Sequence, residues 1–165
     1  MFKAFSIGVL LFCVSGSALA DLANASKKLR IIALAPHIVE NLFAIGAGDN
    51  IVGTVDYADY PSEAQSIERI GGYYGISLEK VLALKPDLVI AWKSGNQSED
   101  LAQIERLGIK VYLSNPTTIA GVADELLTFG EFTGNVEQSQ QVANAFITKL
   151  QNIKKQQQGK KIVTA

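Results

Sequence analysis

The stretch LEKVLALKPDLVIAW, residues 78–92, changes character in its middle. Leu78, Val81 and Leu82 recur at helical spacing, Lys85-Pro86 breaks the pattern, and Leu88, Val89, Ile90 and Ala91 follow as an unbroken apolar run. Ser77 is placed to cap the helix and Glu79 to meet the positive end of its dipole. A strand that is apolar at every position is buried on both faces, as an interior strand of a parallel sheet covered by helices must be. It ends on Trp92, the only tryptophan in the chain. Ligands of open α/β sheets bind at the carboxyl edge of the strands, so an indole at that edge marks a candidate site.

Working outward, the same alternation recurs. LRIIALAP predicts a buried strand over 29–34, with Pro36 at a helix start where a missing N–H costs nothing. The helix spans 37–45 and stops at Gly46; NIVGTV is a second strand; a long loop covers 56–75 and holds four of the five tyrosines. After the Trp92 strand, Ser98 is expected to cap a helix over 99–107 that Gly108 ends, and IKVYL is a further strand. Thr118 opens a helix over 119–132, and a second helix spans 136–158 with Val142, Phe146, Leu150 and Ile153 on one buried side. At ~1.5 Å per residue that helix is roughly 33 Å long. The order predicts an α/β fold with a doubly wound, mostly parallel, Rossmann-like sheet. GKKIVTA, at 159–165, reads as the start of another strand, the entrance to a second lobe that is missing.

The leader MFKAFSIGVLLFCVSGSALA has one early charge at Lys3, an apolar run and a small-residue ending, the pattern of a secretory signal peptide cleaved after Ala20. Its apolar run is about half the ~20 residues that span a bilayer, and Phe12 before Cys13 excludes a lipoprotein site. The expected organisation is a signal peptide at 1–20, an N-terminal lobe at 21–134, a long interlobe helix at 135–158 and the start of a truncated lobe at 159–165. Losing residues 1–20 removes Lys3 and Cys13, which leaves 14 basic against 16 acidic residues, a net charge of −2, and no cysteine. Such a chain has no thiol chemistry and no basic footprint for nucleic acid.

Enzymatic motifs do not emerge. There is no G-x-S-x-G elbow and no phosphate-cradling glycine loop, and a single histidine cannot build a His-rich zinc site, so no catalytic or metal residue is assigned. Asp56 and Asp59 beside His37 form an imaginable acid–base set, but loop aspartates ordinarily bond their own turn backbone. A small secreted hydrolase is thus the weakest reading. His37, in the turn after the first strand, is either a helix-start residue or a neutral, ligand-capable imidazole. Tyr57, Tyr60, Tyr73 and Tyr74 either pack the long loop or offer flat, polar-tipped rings to a large amphipathic ligand, and Trp92 has the same two readings.

In order and spacing, RIIALAP, DYADYP, GISLEKVLALKPDLVIAW and GIKVYLSNPTTI resemble the cobalamin-binding periplasmic proteins of bacterial vitamin B12 importers, over about residues 30–134. LEKVLALKPDLVI is shared with the wider class that binds siderophores and haem, whereas AWKSGN and DYADYP look specific to the cobalamin branch. The resemblance implies a two-lobed, non-catalytic periplasmic binding protein, its lobes joined by one long helix, holding cobalamin (vitamin B12) in the cleft and acting as a monomer that delivers it to the ABC importer permease. By position, the first-lobe contacts fall on Pro36, His37, Tyr57, Tyr73 and Trp92, and Glu79 matches an acidic residue that docks onto permease arginines. Two positions depart from the pattern: His37 replaces a small residue and Tyr73 a tryptophan. One lobe offers one wall of such a cleft, so the chain as given is expected to bind weakly. The alternative within the class is haem or ferric siderophore, with Tyr57 or His37 as an iron ligand.

Overall fold

The computed structural model describes residues 27–158. The signal-peptide and 159–165 readings lie outside them. Eleven helices and strands follow in the order β1 (Ile31–Ala33), α1 (Pro36–Ala44), β2 (Ile51–Thr54), β3 (Gly71–Gly72), β4 (Gly75–Ile76), α2 (Leu78–Leu84), β5 (Leu88–Trp92), α3 (Ser98–Arg106), β6 (Lys110–Ser114), α4 (Ile119–Thr133) and α5 (Val136–Gln158). Four strands make one parallel sheet in the order β2-β1-β5-β6. The chain leaves β1 for β2 on one side and later returns to β5 on the other, so the direction of winding reverses between β1 and β5. Crevices at such a reversal open at the carboxyl ends of the strands.

Alternation along the strands sorts the core into two layers. Ile31, Ala33, Leu88 and Ile90 point to one side, where they meet Ile38, Val39 and Leu42 of α1, Leu126 and Phe129 of α4 and Ala143 of α5. Ile32, Val89 and Ala91 point to the other, against Val81 of α2 and Leu101 and Ile104 of α3. Both faces of β1 and β5 are therefore covered, which is why their sequences carry no polar position. Each fully buried Ile, Leu or Val contributes about 1.5–3 kcal/mol relative to exposure.

Local signals explain the element ends. Ser77 accepts the Lys80 N–H (3.3 Å) and Thr118 the Gly121 N–H (3.0 Å), capping α2 and α4. Arg30 donates to the Leu84 carbonyl from Nη2 (2.6 Å) and to the Lys85 carbonyl from Nε (3.2 Å), placing a cation at the C-terminus of α2. Asn135, between α4 and α5, donates to the Ile45 carbonyl (2.9 Å) and fixes the helix pair to the end of α1. Where α4 meets α5, Gly130 lies against Ser139 with no room for a Cβ.

Several expectations need correction. Ser98 is the first residue of α3 and not its cap; Gln97 holds the cap position without a side-chain bond. Leu82 is 50% exposed, because the buried side of α2 runs through Leu78, Val81 and Leu84. The first strand is shorter than 29–34, being limited by where β2 and β5 pair with it. The 56–75 stretch is not plain loop: it contains a 3₁₀ turn at Ser62–Ser66 and the β3–β4 ladder. On α5, Val142, Phe146 and Leu150 are half-buried but Ile153 is exposed, as are all residues of 151–157. Residues 151–157 of the long helix are thus solvated all round.

Candidate functional site

The loops that follow β1, β2 and β5 converge at the winding reversal around a cleft of about 170 Å³. Pro36, Tyr57, Tyr73 and Trp92 all line it, joined by Asp56 and Asn96. Four residues chosen from sequence and scattered over 57 positions thus share one concavity. His37 stands beside them: its ring meets Trp92 edge-on, with centroids 5.6 Å apart and planes at 85°. Glu79 lies apart from the cleft, exposed in the first turn of α2.

Trp92 is held by its backbone while its ring is presented. β5 runs two residues past the β1 pairing, so Trp92, paired with Ser114 of β6, stands over the end of β1. Asn96 accepts the Trp92 N–H at Oδ1 (2.6 Å) and donates from Nδ2 to the Leu34 carbonyl (2.9 Å). One side chain thereby clasps the ends of both central strands. A Cβ on Gly95 would fall 2.5 Å from the indole Cδ2 and closer still to Cε3 and Cζ3, so glycine lets the indole lie on the loop. The indole remains 42% exposed.

The tyrosines are more exposed, Tyr57 at 77% and Tyr73 at 80%. Tyr57 holds φ at +65°, a left-handed conformation uncommon for an aromatic residue. Around it the loop is fastened: Arg69 donates to the carbonyls of Ala58 (3.0 Å) and Ala64 (3.1 Å) and to Asp59 Oδ1 (3.2 Å). Tyr73 packs edge-on to Tyr74 at 5.5 Å, and Gln97 donates to the Tyr73 carbonyl (3.2 Å), tying β3–β4 to the Trp92 loop. The Tyr74 hydroxyl donates to Asp56 Oδ2 (2.7 Å), which pushes the phenol pKa up. Asp56 and Asp59 each have a local partner and do not form an acid–base pair with His37.

Burial drives the His37 pKa below its ordinary 6.5, opposed in part by the charges of Glu125 and Glu40. The imidazole is accordingly neutral at physiological pH, with a ring nitrogen free to accept or to ligate. Beyond His37 and Trp92 a second hollow, about 340 Å³, is lined by Asn41, Asn115, Pro116 and Glu125. Sequence reading missed Asn96, Gly95 and Glu125. A glycine–asparagine pair straight after a strand that ends on an aromatic was the available signal for the first two.

Among the described residues no group of three or more His, Cys, Asp or Glu is placed to hold a metal, and no helix is long and apolar enough to cross a membrane. What the surface offers is flat rings with polar tips around a shallow apolar floor. Rings of this kind have the chemistry to stack on a large, flat, partly polar molecule and to hydrogen-bond its edge.

The chain is 40% identical over 135 residues to the vitamin B12-binding protein of Vibrio cholerae, a match covering 82% of this chain and 49% of that one. The crystal structure of the periplasmic vitamin B12-binding protein of Vibrio cholerae superposes with a TM-score of 0.76 at 39% identity, over 80% of this chain and 52% of that one. A periplasmic haem-binding protein from Pseudomonas aeruginosa shares the fold, with a TM-score of 0.70 at 20% identity. The chain spans about half the length of the curated relatives it matches. Residues 31–165 match the periplasmic binding protein family, and the chain belongs to it.

Proposed function

We propose that the chain forms the first lobe of the cobalamin-binding component of an ABC importer, exported to the periplasm by its leader, monomeric and without catalytic activity. The observation that carries this is the convergence of Pro36, Tyr57, Tyr73 and Trp92 on one cleft at the carboxyl ends of the strands, in a chain whose relatives are named for vitamin B12. A corrin is a wide, puckered ring fringed by amides, and exposed aromatic rings with polar tips suit both its face and its edge. Cobalamin is the ligand here, not a catalytic cofactor. α5 serves as the connector to a second lobe, and Glu79, exposed on α2 and clear of the cleft, serves as a contact for permease arginines.

Haem is the second reading, favoured by the neutral, half-buried His37 and the exposed Tyr57 phenol, either of which has the chemistry of an iron ligand. Separate titration of the full gene product with cyanocobalamin and with haemin, followed by tryptophan emission, decides between them. Saturable quenching by cyanocobalamin is the expected result. Tight haemin binding without a cobalamin response overturns the proposal.

A further inference from the structure

Glu125 occupies the buried side of α4, next to Ala123 and Leu126, where an apolar residue would be the ordinary choice. It is 5% exposed, and its Oε2 is buried with no hydrogen-bond partner among the described residues. A buried carboxylate without a donor is costly, and such atoms persist where something else supplies the donor. The residue lines the hollow that continues the aromatic cleft past Trp92, and its charge is felt by His37 across that hollow. Asn41 and Asn115 add neutral amides to the same walls, and no cationic side chain among the described residues lines them.

We infer that Glu125 and the hollow around it form a receptor for a primary carboxamide on the edge of the bound ligand, and that this receptor discriminates against a carboxylate at the same place. The inference rests on the cobalamin reading above. An ionised carboxylate only accepts hydrogen bonds, so it pairs with the N–H₂ of an amide and repels an anionic oxygen. Cobalamin carries primary carboxamides around its corrin, whereas haem carries propionates and many siderophores carry carboxylates. The same side chain thus favours one candidate ligand and disfavours the others by charge, in a hollow that Trp92 also lines and Tyr57 does not.

The test pairs a change in the protein with the matching change in the ligand. Cyanocobalamin and its separated monocarboxylic acids, each with one peripheral amide hydrolysed, are titrated into the full gene product and into Glu125→Gln. One acid is expected to bind wild type at least tenfold more weakly than the parent, and that gap is expected to shrink severalfold in Glu125→Gln, where the repelling charge is gone. Loss of the charge-assisted bond should also weaken cyanocobalamin itself by about tenfold in the variant. A gap of equal size in both proteins for every acid overturns the inference while leaving cobalamin as the ligand. If Glu125→Gln fails to fold, the wild-type series decides alone: equal affinity for all the acids refutes the receptor. Absence of cyanocobalamin binding to wild type refutes the functional reading and this inference together.

Discussion

Replacing Gly95 with alanine should move the indole of Trp92 and leave the fold standing. The added Cβ would sit 2.5 Å from Cδ2 and nearer to two further ring atoms, whereas ordinary van der Waals contact begins near 3.4 Å. The ring must therefore withdraw by roughly 1 Å or more, or turn to another rotamer, at about 0.5–1.5 kcal/mol. It has room to do so, being 42% exposed, held by hydrogen bonds only through its backbone and touching His37 edge-on. Folding stability should fall by no more than about that amount. Ligand affinity should suffer more, since a displaced ring no longer covers the ligand and the loss of one aromatic contact is worth roughly 1–3 kcal/mol, or about 5- to 150-fold. Isothermal titration with cyanocobalamin on wild type, Gly95→Ala, Trp92→Ala and the double variant, in the full gene product, gives a closed cycle. Because alanine at 95 acts through the ring, it should cost almost nothing once Trp92 is gone. Equal losses from Gly95→Ala in the presence and absence of Trp92, or an unshifted tryptophan emission maximum in Gly95→Ala, would refute the reasoning.

Other expectations follow from the same geometry. Since the folded His37 pKa lies below the unfolded value of 6.5, the unfolded chain takes up a proton first and stability falls as pH drops through about 6.5, levelling off below the folded pKa. Urea midpoints at pH 7.5 and 5.5 should show this slope in wild type and a shallower one in His37→Gln; identical slopes would remove His37 as its source. Gly130→Ala should destabilise the lobe by about 1–3 kcal/mol, since the new Cβ collides with Ser139 and α4 and α5 must part. Denaturant titration of Gly130→Ala with and without Ser139→Gly checks this, because removing the serine side chain should recover most of the loss. Glu79→Arg should leave cyanocobalamin affinity unchanged and weaken capture by the permease at low salt, as a like charge would face its arginines; equal capture would confine Glu79 to the dipole of α2.

The fold was readable where physical chemistry leaves a strand no choice. Leu88, Val89, Ile90 and Ala91 admit no solvated face, and Pro86 and Gly108 punctuate what lies on either side. Which layer each residue joins was hidden, since Ile31 and Ile32 are chemically alike and only strand order sends them to opposite cores. The tyrosine loop was visible as a cluster, but β3 and β4 are two residues each and too short to leave a periodic trace. Asn96 escaped notice because its acceptor, the Leu34 carbonyl, is 62 residues away. Glu125 escaped because a carboxylate on a helix normally faces water, and nothing local tells that it shares a hollow with His37 and Asn41 of α1 and Trp92 of β5. Leu82 erred the other way: its spacing suited the buried side of α2, yet that stripe rotates past it toward Leu84.

The lopsided clothing of α5 has a mechanical consequence. Its first half is clamped by Ser139 against Gly130 and by the Asn135 tether to α1, while residues 151–157 stand in solvent. A helix resists bending, so its last eight residues act as a cantilever about 12 Å long. A tilt of about 5° at the root swings the tip by about 1 Å on that length. Whatever is joined to the far end takes its bearing from three small residues at the root, and exchanging them would re-aim it without altering any atom that touches ligand.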